Sequence, residues 1–247
     1  EISNRGITAY SNFLYRDCFS EKTCYRAGIS STIQHNKLGL GNSLIDTREQ
    51  NIEGRFAVVH DVADGVKIIW GANETFNNYR QTYSNDEGEF PLDFNDYLTG
   101  IFIESEIKFT KNIGIRPGLR TEYSSVIQQW NFAPRFAMGL KTGEEAQLSA
   151  AWGLYHQTPQ ADYLKLNANL GYEKASHYIV SYQAGDVSSR LFRAEAYYKT
   201  YDDLITFRSG EFGLPQSIQN NGDGYAAGVD IFWRDRKSIK GFDYWLT

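Results

Sequence analysis

The sequence predicts an all-β protein, an antiparallel transmembrane β-barrel with about 12 strands in this chain. Apolar and polar residues alternate with a period of two along most of the chain, as they do in strands with unlike faces. Several alternating segments reach about 14 residues, whereas soluble strands usually have five or six. A tilted strand needs about 9–11 residues to cross a bilayer. Strand length therefore favours a membrane barrel over a soluble sandwich.

The composition excludes several other classes of protein. The chain has 247 residues, 15% aromatic residues, a net charge of -5 and a mean hydropathy of -0.49. No stretch approaches the roughly 20 apolar residues of a spanning helix. Abundant aromatic residues and a small net charge argue against disorder. With a pI near 5.5 and no basic block, we expect no nucleic-acid partner.

The strands are assigned from the alternation, as residues 101–109 illustrate. Ile101, Ile103 and Ile107 share one face, and Glu104 and Glu106 share the other. In hydrocarbon an unpaired backbone group costs several kcal/mol, so such a sheet must close on itself. We expect lipid on the apolar face and water or a polar plug on the other. The predicted strands are 4–17, 23–40, 51–62, 66–80, 96–109, 113–126, 132–141, 146–157, 171–184, 190–205, 222–235 and 241–247.

The predicted connections alternate between short turns and long loops. This alternation is typical of outer-membrane barrels, with turns in the periplasm and loops outside the cell. The short turns are rich in Gly, Asp and Asn, which tolerate hairpin geometry: 18–23, 63–65, 110–112, 141–145, 185–188 and 235–238. The other connections are predicted at 41–50, 81–95, 158–170 and 206–221, with a short one at 127–131.

Tyr and Trp residues gather near the predicted strand ends. Such rings favour membrane–water interfaces, although aromatic residues also stabilise strands in general. The residues concerned are Trp70, Tyr79, Tyr123, Trp130, Trp152, Tyr155, Tyr198, Tyr201, Trp233 and Tyr244.

Several segments between 131 and 232 resemble motifs of the TonB-dependent outer-membrane receptors. They occur in the order found in that family, whereas residues 1–125 resemble it only in the style of their strands. The segments are Asn131 to Leu140 (NFAPRFAMGL), Gln147 to Pro159 (QLSAAWGLYHQTP), Glu173 to Tyr178 (EKASHY), Ala194 to Ile205 (AEAYYKTYDDLI), Asn220 to Gly222 (NNG) and Gly228 to Asp230 (GVD).

The resemblance implies active import across the bacterial outer membrane. Members of the family have a barrel of about 22 strands with a plugged lumen. They import a ferric siderophore, haem, cobalamin, or an oligosaccharide or peptide, with energy delivered by the TonB complex through the plug. We therefore expect residues 1–247 to form one incomplete barrel segment without plug, TonB box or C-terminal strands. Its expected partners are outer-membrane lipid, a nutrient ligand and, through the absent plug, the TonB complex.

The sequence indicates no catalytic residue, no metal site and no cofactor. None of the four histidines has metal-ligand spacing, although His156 and His177 flank the 158–170 loop and are candidates for binding haem or a metal chelate. Ligand contacts are expected from loops 81–95 and 158–170, without any single residue being assigned. Cys18 and Cys24 bracket a short turn, and the oxidising periplasm makes a disulfide plausible.

Two other functions remain open at this point. One is a twelve-stranded outer-membrane hydrolase, for which His60 and His156 are candidate bases but no matching Ser is evident. The other is a soluble β-rich module that binds carbohydrate through exposed aromatic residues. A soluble module would pack its apolar rows, such as Ile101, Ile103 and Ile107, together in a dry centre.

Overall fold

The computed structural model describes residues 2–167, 169–186, 188–208 and 217–247, which form one twelve-stranded antiparallel sheet. The strands follow one another in the sheet in the order of the chain. Twelve strands in one sheet confirm the all-β prediction. The strands are β1 (Ile2–Ser20), β2 (Thr23–Leu40), β3 (Ser43–Ala63), β4 (Val66–Asn85), β5 (Gly88–Lys108), β6 (Ile113–Ser124), β7 (Gln129–Gly143), β8 (Ala146–Gln157), β9 (Glu173–Asp186), β10 (Arg190–Phe207), β11 (Ile218–Asp235) and β12 (Tyr244–Leu246).

The sheet is an arc with β1 and β12 at its two edges, and these two strands are not paired with each other within the described residues. Its longest strands are β3, β4 and β5, with 21, 20 and 21 residues. One helical turn, α1 (Ala161–Leu164), lies between β8 and β9. Among the described residues, no helix is long and apolar enough to cross a bilayer.

Two predicted loops are wrong. Segments 41–50 and 81–95 are mostly strand, and their turns are only Gly41-Asn42 and Asp86-Glu87. Residues 46–50 and 81–85 are polar on both faces, so the alternation that marks a strand is missing there although the backbone pairing continues from Leu44↔Ser84 onward. Phe90, Leu92 and Phe94 do recur at every second position on β5, and the loop prediction overlooked them. The β2–β3 and β4–β5 pairs therefore continue as long hairpins up to these two turns.

The other connections agree better with expectation. β6 ends at Ser124 and β7 begins at Gln129, which confirms the short connection near 127–131. The described residues of the 158–170 loop, which leave out 168, contain α1 and no strand. Of the predicted loop 206–221, residues 209–216 lie outside the described residues. Cys18 and Cys24 are paired across the β1–β2 turn and form the predicted disulfide.

The two faces of the sheet differ as the alternation predicted. Ile101 and Ile103 are 51% and 50% exposed on the outward face, whereas Phe102 between them is 9% exposed on the inner face. The register aligns Ile103 with Trp70 on β4 and Leu119 on β6, so the apolar band continues across strands. The apolar rows thus point away from the protein and do not meet in a dry centre.

The aromatic residues divide between the two faces. Trp70 and Trp130 are about half exposed on the outward band, as expected for interface rings. Tyr79 and Tyr155 are corrections to that expectation, because both face inward. Tyr79 is 5% exposed and contacts the 158–172 segment, and Tyr155 lies under the Arg135 guanidinium at 4.6 Å.

Candidate functional site

A cavity of about 730 Å³ lies between the inner wall of β1–β4 and the connection that carries α1. It lies at the end of the sheet where the long hairpins turn, which is the extracellular end in outer-membrane barrels. The cavity is lined by Asn4, Asn36, Leu38, Ile45, Thr47, Glu49, Tyr79, Gln81, Gln160, Asp162, Tyr163, Lys165, Leu166 and Phe207.

The 158–172 segment is held against the inner wall by a small apolar cluster. The buried members of the cluster are Ile127, Leu164, Leu170, Tyr172 and Ile218. They come from three different connections or strand ends, so the cluster joins the β6–β7 turn, the 158–172 segment and the start of β11. Burial of such side chains stabilises the segment by roughly 1.5–3 kcal/mol for each fully buried residue.

Hydrogen bonds fix the end of this segment that precedes β9. The Gly171 amide donates to Asn220 Oδ1 at 2.7 Å, and Asn220 Nδ2 donates to the Gly171 carbonyl at 3.3 Å. Asn167 Nδ2 donates to the Ile218 carbonyl at 3.0 Å. The Tyr172 hydroxyl donates to the Gln129 carbonyl at 3.3 Å, and burial raises the pKa of Tyr172 to about 12. The phenol is protonated at neutral pH, as tyrosines ordinarily are, and the raised pKa keeps it a donor into more alkaline solution.

The two segments predicted to contact ligand meet each other at the cavity. The Tyr79 hydroxyl donates to Asp162 Oδ1 at 3.2 Å, and Lys165 Nζ donates to Gln81 Oε1 at 3.0 Å. Phe94 stacks on Tyr79 at 5.3 Å between ring centroids and packs against the apolar cluster. The β4–β5 hairpin and the α1 segment therefore form one structure, although 81–95 is strand and not loop.

The cavity holds one ammonium group, and that charge is compensated. Lys165 Nζ lies 2.6 Å from Oδ1 of Asp162, which is three residues earlier in the chain. Glu49, on the facing wall, has no ion-pair partner among the described residues. The remaining polar side chains are amides and hydroxyls, such as Gln81, whose Nε2 donates to Thr47 Oγ1 at 3.1 Å. The arrangement is suited to hydrogen bonding with a ligand more than to binding a charge.

The predicted histidine candidates are not brought together. His156 lies against the Tyr172 ring at 5.9 Å, and His177 lies against the Tyr155 ring at 4.6 Å. In the β8–β9 ladder His177 is paired with Gly153 and His156 with Lys174, and the two imidazoles contact different rings. Within the described ranges, no group of three or more His, Cys, Asp or Glu side chains is placed to hold a metal ion.

The third candidate histidine, His60, lies on β3 and contacts Thr23 Oγ1 through Nδ1 at 2.8 Å. β3 and β8 are not neighbours in the sheet, so His60 and His156 do not form one catalytic group.

The sequence interpretation missed the contribution of β1, β2 and β3 to the cavity. Thr47 and Glu49 lie in a segment predicted as loop, and Asn4 and Asn36 were not singled out. Little signal was available, because Arg48 and Gln50 between Thr47, Glu49 and Asn51 are polar as well. A strand with two polar faces lacks the alternation that would mark it.

The geometry by itself defines a class of protein. An arc of long antiparallel strands with an apolar outward band, a polar inner wall and a loop-bounded cavity at one end is part of the wall of an outer-membrane β-barrel.

The family model described as "TonB dependent receptor-like, beta-barrel" matches residues 3–247. The chain belongs to this family, whose members are receptors and transporters of the outer membrane and not enzymes. No curated protein matches the sequence.

Solved structures show the same fold at low sequence identity. The FrpB iron transporter of Neisseria meningitidis superposes with a TM-score of 0.74 at 12% identity, covering 94% of this chain and 41% of that chain. The ferric enterobactin receptor of Pseudomonas aeruginosa gives 0.75 at 10% identity, covering 95% and 42%. The copper transporter OprC gives 0.73 at 14% identity, covering 94% and 43%. The chain therefore spans less than half the length of each of these proteins.

Proposed function

We propose that this chain is part of the wall of a receptor that imports a nutrient across the outer membrane with energy from the TonB complex. The observation that carries the proposal is the cavity on the inner wall at the end of the long hairpins. Its volume of about 730 Å³ lies within the 300–1,000 Å³ of typical ligand sites. A ligand captured there has already entered the lumen from outside.

The position of the cavity suits a binding step that precedes transport. Paired strands form a rigid wall, and the 158–172 segment adds binding groups to it, as loops on rigid scaffolds commonly do. Tyr79 and Gln81 contribute from β4, and Asp162 and Lys165 contribute from the segment. A ligand contacting both would bridge the wall and the segment.

The inner wall farther from the cavity supports a lumen that holds a polar plug. Arg116 Nη2 lies 2.8 Å from Glu104 Oε2, and Arg120 Nη2 lies 2.6 Å from Glu122 Oε1. Charged pairs of this kind are hydrated or bonded to polar partners, because an apolar filling would leave them desolvated. Energy from the TonB complex would reach this wall through a plug that is not part of these 247 residues.

Uptake by intact cells tests the proposal. Cells producing the full-length receptor are given labelled ferric siderophores, haem, cobalamin and neutral oligosaccharides, one at a time. We expect receptor-dependent accumulation of at least one compound, and its loss when the proton gradient is collapsed or the TonB gene is deleted. Accumulation that continues unchanged without the gradient would indicate a passive channel and contradict the proposal.

A further inference from the structure

The upper inner wall of β1–β5 carries no cation. Five successive rows of paired inward side chains lie between the level of Arg26 and Arg55 and the hairpin turns at 41–42 and 86–87. None of these residues is Lys or Arg. Most are amides, hydroxyls and aromatic residues. The polar ones are Asn4, Thr8, Tyr10, Asn12, Ser30, Thr32, Gln34, Asn36, Thr47, Glu49, Asn51, Glu53, Thr75, Asn77, Tyr79, Gln81, Tyr83 and Asp96.

The same stretch of sequence places its cations on the opposite face. Arg5, Lys37, Arg48 and Arg80 occupy outward positions at the same height, where the register groups them around Asp46. Their absence from the inner wall is therefore a property of that face and not of the composition of these strands.

The electrostatic balance of the cavity is neutral to negative. Lys165 is the one cation among the lining residues, and it is paired with Asp162 at 2.6 Å. Glu49 keeps an uncompensated carboxylate among the described residues. A ligand with several negative charges would meet this carboxylate without an unpaired cation on this wall, which is unfavourable.

The available groups match the chemistry of a sugar. Side-chain amides and hydroxyls each donate and accept hydrogen bonds, as sugar hydroxyls do. Asn36 is an exposed amide on the cavity wall. Tyr163 and Phe207 supply aromatic rings at the cavity, in edge contact at 5.4 Å between centroids. Aromatic faces cover the apolar C–H face of a sugar ring while amides satisfy its hydroxyls.

From this wall we infer that the receptor takes a neutral, hydroxyl-rich ligand, an oligosaccharide, and not an anionic metal chelate. The inference rests on the proposed function and names the substrate class of the same cavity. A cationic peptide is the competing ligand for a wall with an unpaired carboxylate.

Binding to the full-length receptor in detergent tests the inference by titration calorimetry. The probes are short neutral gluco- and xylo-oligosaccharides, a ferric tricatecholate chelate and an oligolysine peptide. We expect at least one neutral oligosaccharide to bind, with an affinity that changes less than about twofold between low and high salt because no charge pairing is involved. The chelate and the peptide are expected not to bind at this wall.

Two variants locate the binding. Asn36→Ala removes an exposed amide from the cavity wall, and Gln81→Ala removes an amide that faces Lys165. Each substitution is expected to weaken sugar binding about tenfold, which is the effect of one lost hydrogen bond. Asn78→Ala is the matched control, because Asn78 lies next in sequence to inward Asn77 but points outward to Asn95. Heat-modifiable mobility on a gel shows that each variant is folded.

The results separate this inference from the proposed function. A folded receptor that binds no neutral oligosaccharide, or that binds the chelate or the peptide with strongly salt-dependent affinity, overturns the inference. Energised uptake of a siderophore in the cell assay would then still support the proposed function. Sugar binding without energised uptake would support the cavity chemistry and contradict the transport step.

Discussion

Asp96 shows how one buried carboxylate fixes a connection of the barrel wall. It is 5% exposed and accepts hydrogen bonds from Ser124 Oγ at 2.9 Å, Ser125 Oγ at 3.2 Å and the Val126 amide at 3.2 Å. These bonds join β5 to the β6–β7 turn. A carboxylate is stable at such a site only when its oxygens are paired in this way.

Replacing this carboxylate tests its structural role. We expect Asp96→Ala to lower the free energy of unfolding by about 2–3 kcal/mol, because the two hydroxyls and one amide lose a charged acceptor. Urea unfolding of the full-length receptor in detergent measures the effect. Asp93→Ala is the control: Asp93 is exposed on the outward side of the same strand, and its loss is expected to change stability by less than about 0.5 kcal/mol. Equal effects would contradict the assignment.

A second residue-scale prediction concerns Gly71, where the backbone of β3 leaves no room for a side chain. A Cβ at this position would lie 2.2 Å from the Phe56 carbonyl oxygen and 2.9 Å from Phe102. We expect Gly71→Ala to destabilise the barrel by about 1–3 kcal/mol through this overlap. A Cβ at Gly54 would meet nothing within 4 Å, so Gly54→Ala should be neutral or slightly stabilising in the same unfolding measurement. A neutral Gly71→Ala would contradict the packing described.

At the scale of elements, the sequence predicts strands well wherever one face meets lipid. Residues 101–107 alternate because Ile101 and Ile103 lie in the outward band and Phe102 lies inward. The alternation is lost at 81–85 on β4, where both faces are polar, and the prediction of a loop fails there. The hydrogen-bonded ladder does not depend on the polarity of the side chains, so the hairpin continues without that signal.

The 158–172 segment behaves as an element of its own, held by its apolar cluster. Ile218 is 1% exposed at the centre of that cluster. We expect Ile218→Ala to cost about 2–4 kcal/mol locally and to raise amide hydrogen exchange throughout 158–172. Ile231→Ala, on the outward face of the same strand, should leave exchange in this segment unchanged. Unchanged exchange in Ile218→Ala would show that the segment is held by other contacts.

At the scale of the whole molecule, the fold is predictable from the sequence and the cavity is not. Alternation, strand length and turn chemistry give the twelve strands and their two faces. The cavity depends on register, which brings Thr47 of β3 opposite Gln81 of β4 and both beneath Lys165. Residues so far apart in sequence carry no local sign of their contact. The prediction of ligand contacts from 81–95 and 158–170 therefore includes no residue of β1–β3, which also line the cavity.

The orientation of the arc in the membrane yields the last prediction. Ile103 lies in the outward band, 50% exposed between Trp70 and Leu119, so Ile103→Arg would place a charge in lipid. We expect a loss of about 2–4 kcal/mol and impaired assembly into lipid vesicles. Ile69→Arg is the matched control, because Ile69 is paired with Glu104 on the inner wall and an arginine there faces polar groups. Vesicle assembly of the full-length receptor, followed by protease protection, compares the two. If the Ile69→Arg variant failed to assemble while the Ile103→Arg variant assembled normally, lipid would lie on the other face and the cavity would not open into the lumen.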